Sequence, residues 1–251
     1  LNADDTFEIK IKNTIVKDGE NTGLKYELSD SLSTRETDET VEYNTLVVSR
    51  GGEYILTLSD GTKVWLNSET ELKYPVRFSG NTREVSVKGE AYFDVTKDES
   101  HPFIVKTIAS EISVLGTSFN VKAYRNSGLV ETSLVEGVVS VKDNVLRPDM
   151  QATYYEQSGD FSYRKIKGEN YRLRKEQMFV FEEERLDDIL QEMARWYDFE
   201  VFYQNSEMAE KRFGFKLEKY EHVDSLLKIL ELTGEVKFEM LGKSLTVKSG
   251  S

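Results

Sequence analysis

Two histidines, His101 and His222, are the only imidazoles in the chain, and there is no cysteine. A nitrogen-ligand metal site or a Ser-His-Asp arrangement has to use one of them. His101 stands before Pro102, which forces extended backbone at the start of a strand. His222 sits at the front of a helical pattern, where capping or solvation is the ordinary role. Carboxylates are abundant, and paired-acid glycoside chemistry needs only two at a separation of about 5 to 9.5 Å. Glu90 and Asp94 fall on one face of a strand pattern and Glu131 and Glu136 flank a turn, but acids on strands usually form a solvated face or protect an edge. Arg50-Gly51-Gly52-Glu53 leads into a strand and so lacks the helix N-terminus that holds a phosphate. Trp65 and Trp196 could stack on sugar rings, yet each adjoins apolar neighbours and reads as packing. No residue set points to a cofactor or a metal.

The elements that would position these residues change character along the chain. From Phe7 to about Tyr163 the pattern is short period-2 runs broken by turn residues, which implies consecutive antiparallel strands. Phe7, Ile9 and Ile11 alternate with charged residues, and turns are expected at Asp18-Gly19 and Asn21-Thr22-Gly23 before Leu24, Tyr26 and Leu28. Ser29 to Glu42 reads as an exposed loop. Asp60-Gly61 marks the strongest hairpin, between Tyr54–Leu58 and Lys63–Leu66, because the turn demands a positive φ. Further strands are expected at Glu84–Val87, Ala91–Val95, Phe103–Thr107, Glu111–Leu115, Ser118–Ala123, Val130–Leu134, Val138–Val141 and Gln151–Tyr155. Gly89 and Gly116 each precede a strand whose Phe should point into the core, and each should allow a bend or a close backbone approach.

After Lys165, Arg172, Arg174 and Lys175 mark a charged connection. Met178 to Phe181 reads as a strand, and Leu186, Ile189, Leu190, Met193 and Tyr197 as an amphipathic helix behind the acidic front Glu182-Glu183-Glu184. Strands at Glu200–Tyr203 and Arg212–Leu217 precede a second helix with Val223, Leu226, Leu227 and Leu230 on one face and Gly234 as its C-cap. Val236–Met240 and Ser244–Lys248 close the chain, with Ser249-Gly250-Ser251 read as a linker scar or a frayed end. The fold class is therefore a mainly β region over 1–170, an antiparallel β-sandwich or roll, followed by a small α+β domain over 171–251 with two helices on one sheet.

Hydrophobic residues make up 38% and charged residues 31% of the 251, enough to bury two cores. A net charge of -12 argues against nucleic-acid binding, which needs clustered cations. No run of about 18 apolar residues is present to span a membrane.

The ordered motifs Ser49-Arg50-Gly51-Gly52-Glu53-Tyr54, Leu56 to Ser68, Tyr74-Pro75-Val76, Gly89 to Val95, Pro102-Phe103-Ile104-Val105 and Val114 to Val121 resemble the FecR family. Phe181 to Val247, with Ala194-Arg195-Trp196-Tyr197, resembles the small C-terminal domain that accompanies FecR domains in Bacteroidetes-type proteins, and is similar in pattern to short TonB and secretin signalling domains. Departures are local: Ser49 replaces a Pro common in relatives, Pro148-Asp149-Met150-Gln151-Ala152 replaces Pro-Gly-Glu-Gln-Ala, and the Trp and Gly usual before Phe179 are missing.

The resemblance implies a non-enzymatic periplasmic sensor, tethered to the inner membrane in the full-length protein. Its partners would be the periplasmic signalling domain of a TonB-dependent outer-membrane transporter and, through a cytoplasmic segment outside this chain, an extracytoplasmic-function sigma factor. Docking is expected on the C-terminal domain, by pairing along an edge strand Ser244, Leu245, Thr246, Val247, with Glu192, Arg195 and Lys228 as outward helix residues. A carbohydrate-binding β-sandwich is the alternative and predicts three coplanar exposed aromatic rings. A glycosidase predicts a cleft with two carboxylates.

Overall fold

A computed structural model describes residues 7–10, 16–17, 24–26, 41–142, 144–219 and 222–250. The turns expected at Asp18-Gly19 and Asn21-Thr22-Gly23, and the loop expected from Ser29 as far as residue 40, lie outside them. The chain divides into two compact units, Leu1–Gly168 and Glu169–Ser251.

The first unit is built of strands: β1 Phe7–Lys10, β2 Val16–Lys17, β3 Leu24–Tyr26, β4 Tyr43–Val48, β5 Tyr54–Thr57, β6 Lys63–Leu66, β7 Thr70–Pro75 and β8 Arg83–Asp94. They continue as β9 Phe103–Lys106, β10 Glu111–Val114, β11 Ser118–Ala123, β12 Leu129–Glu136, β13 Val139–Val141, β14 Asn144–Leu146, β15 Met150–Tyr155 and β16 Phe161–Lys165.

β8 organises the unit. The two short strands expected at Glu84–Val87 and Ala91–Val95 are one strand of 12 residues. Its first half pairs with β7 and β9, and its second half pairs with β6 and β11. One layer therefore runs β1-β4-β7-β8-β9-β10-β13-β14 and the other β2-β3-β5-β6-β8-β11-β12-β15-β16, a single large sheet curled over on itself. The turnover falls at Gly89, whose φ is +114° and where a Cβ would stand 2.5 Å from Thr70 Oγ1, so only glycine fits.

Because β8 ends in the second layer, the chain must cross back, and β9 then lies parallel to the start of β8, Arg83 opposite Phe103. This corrects the expectation of antiparallel pairing throughout. A parallel pair normally needs a long crossover, usually a helix; here the layer change of β8 makes a short loop sufficient. β3 and β5 also pair parallel. Phe93 from the second layer and Phe103 from the first meet at 6.1 Å between centroids, and Phe93 stacks on Phe119 at 5.2 Å, so the core lies between the two layers.

The second unit begins in a helix the sequence did not announce, α1 Gly168–Lys175, which replaces the expected charged connection. β17 Met178–Arg185, α2 Leu186–Tyr197, β18 Glu200–Tyr203, a 3-10 turn over Ser206–Glu210, β19 Arg212–Glu218, α3 Val223–Glu231, β20 Val236–Leu241 and β21 Ser244–Ser249 follow. Glu182, Glu183 and Glu184 belong to β17, not to the front of α2. The strand carries a bulge there, with Glu183 at φ +52° opposite β19, and α2 takes its first-turn acids from Asp187 and Asp188. The strands form two sheets and not one: β17 with β19, and β18-β21-β20. Ser249 pairs with Val236, so the first residue of the end expected to fray belongs to the sheet. Leu186, Ile189, Leu190 and Met193 of α2 and Leu226, Leu227 and Leu230 of α3 pack with Leu245 and Val247 in this unit's own core.

Candidate docking surface

The motif residues of the first unit hold the curled sheet together. The Asp60-Gly61 hairpin forms as expected, with Gly61 at φ +86° and Leu58 N–H donating to Thr62 O at 2.8 Å. Asp60 accepts from Thr62 Oγ1 at 2.7 Å and from Arg83 Nη1 at 2.7 Å. Arg83 is 4% exposed and also donates to Thr96 O and His101 O, both in the loop that returns from β8 to β9. One guanidinium thus fixes the hairpin and the crossover together.

Three other motifs meet at Glu90. Its carboxylate is buried and accepts from Asn67 Nδ2 at 3.2 Å and Asn120 Nδ2 at 3.0 Å, while its backbone exchanges hydrogen bonds with Thr70 Oγ1. Asn67 follows β6, Asn120 lies within β11 and Thr70 opens β7, so the contacts tie these three strands to β8. Asp94, the other member of the acid pair considered above, is exposed and accepts from Ser118 Oγ at 2.8 Å. Glu131 is half-buried and Glu136 exposed.

His101 is exposed, with Nδ1 2.8 Å from Asp98 Oδ2, and this contact leads the causes that hold the Asp98 carboxyl below its ordinary range. His222 precedes α3 without capping it through its side chain. No cluster of three or more metal-binding side chains occurs among the described residues. Trp65 packs edge-on against Tyr92 at 5.8 Å, and Trp196 is buried with Nε1 donating to Lys219 O at 2.9 Å.

The site residues expected in the second unit divide. β21 is the central strand of its sheet, flanked by β18 in parallel and β20 antiparallel, so Ser244–Val247 is not an edge and its backbone has no free side to offer. Leu245 and Val247 face the core, while Ser244 and Thr246 lie half-buried on the opposite face. Glu192 and Arg195 are not outward: they are 5% and 8% exposed, and Glu192 accepts from Arg174 Nη1 at 3.3 Å. Their helical spacing reads as polar, but α2 is covered on that side as well. Lys228 is exposed on α3 as expected.

The structure brings forward a strand that the sequence located but did not mark as a surface. β18 is an edge. Phe202 on it is 50% exposed, and in register beside it lie Thr246 and Glu239, with Leu241 exposed one row away on the same sheet face. Tyr203 turns the other way; burial and then the neighbouring Asp187 push its phenol pKa up, and its hydroxyl donates to Asp187 Oδ1 at 3.0 Å. The available signal was the alternation that puts Phe202 on the same strand face as the charged Glu200, opposite Val201 and Tyr203.

Comparison with known proteins agrees with this architecture. Residues 44–140 match the model of the FecR protein family and residues 178–247 that of the FecR C-terminal domain. Together the matches take in more than half of the chain, which belongs to the FecR family. Two crystal structures of a "putative anti-sigma factor" from Parabacteroides distasonis ATCC 8503 share the fold. The one at 1.65 Å resolution has a TM-score of 0.76 and 26% identity over 82% of this chain and 99% of that one. The one at 2.50 Å has a TM-score of 0.76 and 25% identity over 84% and 100%. Nothing among the curated proteins matches. No helix among the described residues is long and apolar enough to cross a membrane.

Proposed function

We propose that the chain is the periplasmic sensor portion of a membrane-tethered regulator of an extracytoplasmic-function sigma factor, receiving its signal from a TonB-dependent outer-membrane transporter. The observation that carries the reading is the pairing of the two FecR domains in one chain, a β unit whose motif residues are spent on its own cohesion and a separate α+β unit with an edge strand that carries an exposed apolar side chain. Division of labour follows: the first unit supplies the scaffold, and the second receives the transporter's signalling domain. Docking there shifts the regulator between states with different hold on the sigma factor, to the extent that the partner binds the two states unequally.

The test is transcriptional. Removing residues 169–251 from the full-length regulator should uncouple sigma-dependent transcription from the transported nutrient while the protein still reaches the membrane. Unchanged nutrient response in that strain would sink the reading.

A further inference from the structure

Resting on the docking reading just given, we infer that the partner's signalling domain binds by adding an extended strand to the outer edge of β18, with a side chain of that strand packed against Phe202.

The three-stranded sheet has two edges, and they are treated differently. On β20, the N–H of Phe238 points away from β21 and donates to the Glu231 Oε1 of α3 at 2.8 Å. A side-chain carboxylate therefore occupies the middle of that edge, a common way of blocking strand addition. β18 has no such cover among the described residues. Glu200 N–H donates to Lys243 O at 2.7 Å and Gln204 N–H to Val247 O at 3.0 Å, so the residues at 200, 202 and 204 turn their backbone groups toward β21. By the alternation of a strand, Val201 and Tyr203 turn theirs outward, presenting two N–H donors and two carbonyls in ladder spacing. None of the usual edge protections, a Pro, a Lys or a bulge, falls within Val201–Tyr203.

The chemistry of this edge selects its occupant. Alternating backbone donors and acceptors are satisfied by another extended backbone, not by a helix or a small ligand. Phe202 lies on the sheet face away from the core and is half exposed, so a strand seated on β18 brings an apolar side chain against it. Glu200, exposed at the start of β18 and without an ion-pair partner among the described residues, favours Lys or Arg in the incoming segment. The partner surface is thus an exposed edge strand with one apolar and one basic position on the same side.

The test is a calorimetric titration of the purified signalling domain of the cognate transporter into this chain, with amide exchange measured on the same samples. Val201→Pro removes an outward N–H and leaves the β18–β21 ladder intact; Phe202→Lys removes the apolar contact at the surface. Each should weaken binding about tenfold or more with the melting transition preserved, and Lys228→Glu on α3 should leave it unchanged. In the unaltered chain, binding should slow exchange at Val201 and Tyr203, a readout that stands even where Val201→Pro disturbs folding. Binding that persists in both edge variants without protection of those amides overturns the strand-addition inference alone. No binding by the unaltered chain overturns the docking reading and this inference with it.

Discussion

Arg83 Nη1 donates to Asp60 Oδ2 at 2.7 Å, and both side chains are largely withdrawn from water. This pair joins a hairpin of the second layer to the start of a strand in the first, and the same guanidinium holds the loop that crosses between them. Breaking one side of a buried pair leaves the other charge uncompensated, at a cost of about 3–5 kcal/mol. Arg83→Met should lower the unfolding free energy by that order in urea titrations, and Asp60→Asn should act in the same direction. Their double-mutant cycle should show coupling; strictly additive losses would mean that the two side chains stabilise the fold independently.

Gly89 separates backbone strain from lack of space. At Gly80, with φ +83°, an added Cβ meets nothing within 4 Å, whereas at Gly89, with φ +114°, it meets both Thr70 Oγ1 and the backbone of residues 69 and 70. Gly80→Ala should cost about 1 kcal/mol from strain, and Gly89→Ala several kcal/mol, because the layer change of β8 has to shift. Thermal unfolding of the two variants side by side checks this, and equal losses would contradict the role given to Gly89.

Glu231 blocks the β20 edge through one acceptor oxygen on the Phe238 amide. Glu231→Gln keeps an acceptor and should behave as the parent. Glu231→Ala should cost about 1 kcal/mol and speed exchange of the Phe238 amide. Unchanged protection of that amide in the alanine variant would show that the carboxylate is not its partner in solution.

Acid titration reports on the first layer's outer face. The hydrogen bond from Lys106, at 2.6 Å, holds the Glu84 carboxyl below its ordinary value of 4.5, against a smaller opposing effect of burial. A carboxyl depressed in the folded state stabilises the fold above its unfolded value, and that contribution is lost as pH falls through the folded one. The pair is well exposed, so the effect is modest and screened by salt. Carbon NMR titration should place Glu84 below 4.5 at low salt and closer to it at high salt; a value at or above 4.5 at low salt would contradict the ion pair.

Much of the second unit was legible in residue order. Leu186 to Tyr197 and Val223 to Leu230 carry clean helical stripes, and the structure places α2 and α3 there. α1 was missed because Gly168–Lys175 has no apolar stripe; its end charges, Glu169 first and Arg172, Arg174 and Lys175 last, were the only signal. In the first unit the alternation of single strands was readable, but the fusion of two strands into β8 was not. Gly89 announced a bend, and nothing local says that a strand continues through a bend into another layer. The sheet edge lies elsewhere than expected for a related reason. Sequence position puts Ser244–Val247 last, which suggests an edge, whereas sheet order depends on pairing with the distant β18. Glu192 and Arg195 are buried where polarity implies exposure, because charged side chains go inside where they find partners.

In the function proposed above, the second unit receives the transporter's signal. Titration of the purified signalling domain into this chain, followed residue by residue by NMR, tests it most directly. Saturable micromolar binding is expected, with perturbations centred on Glu200–Tyr203 and absent from the Glu90 and Arg83 clusters. No binding at high micromolar concentration, or perturbations confined to the first unit, would contradict it.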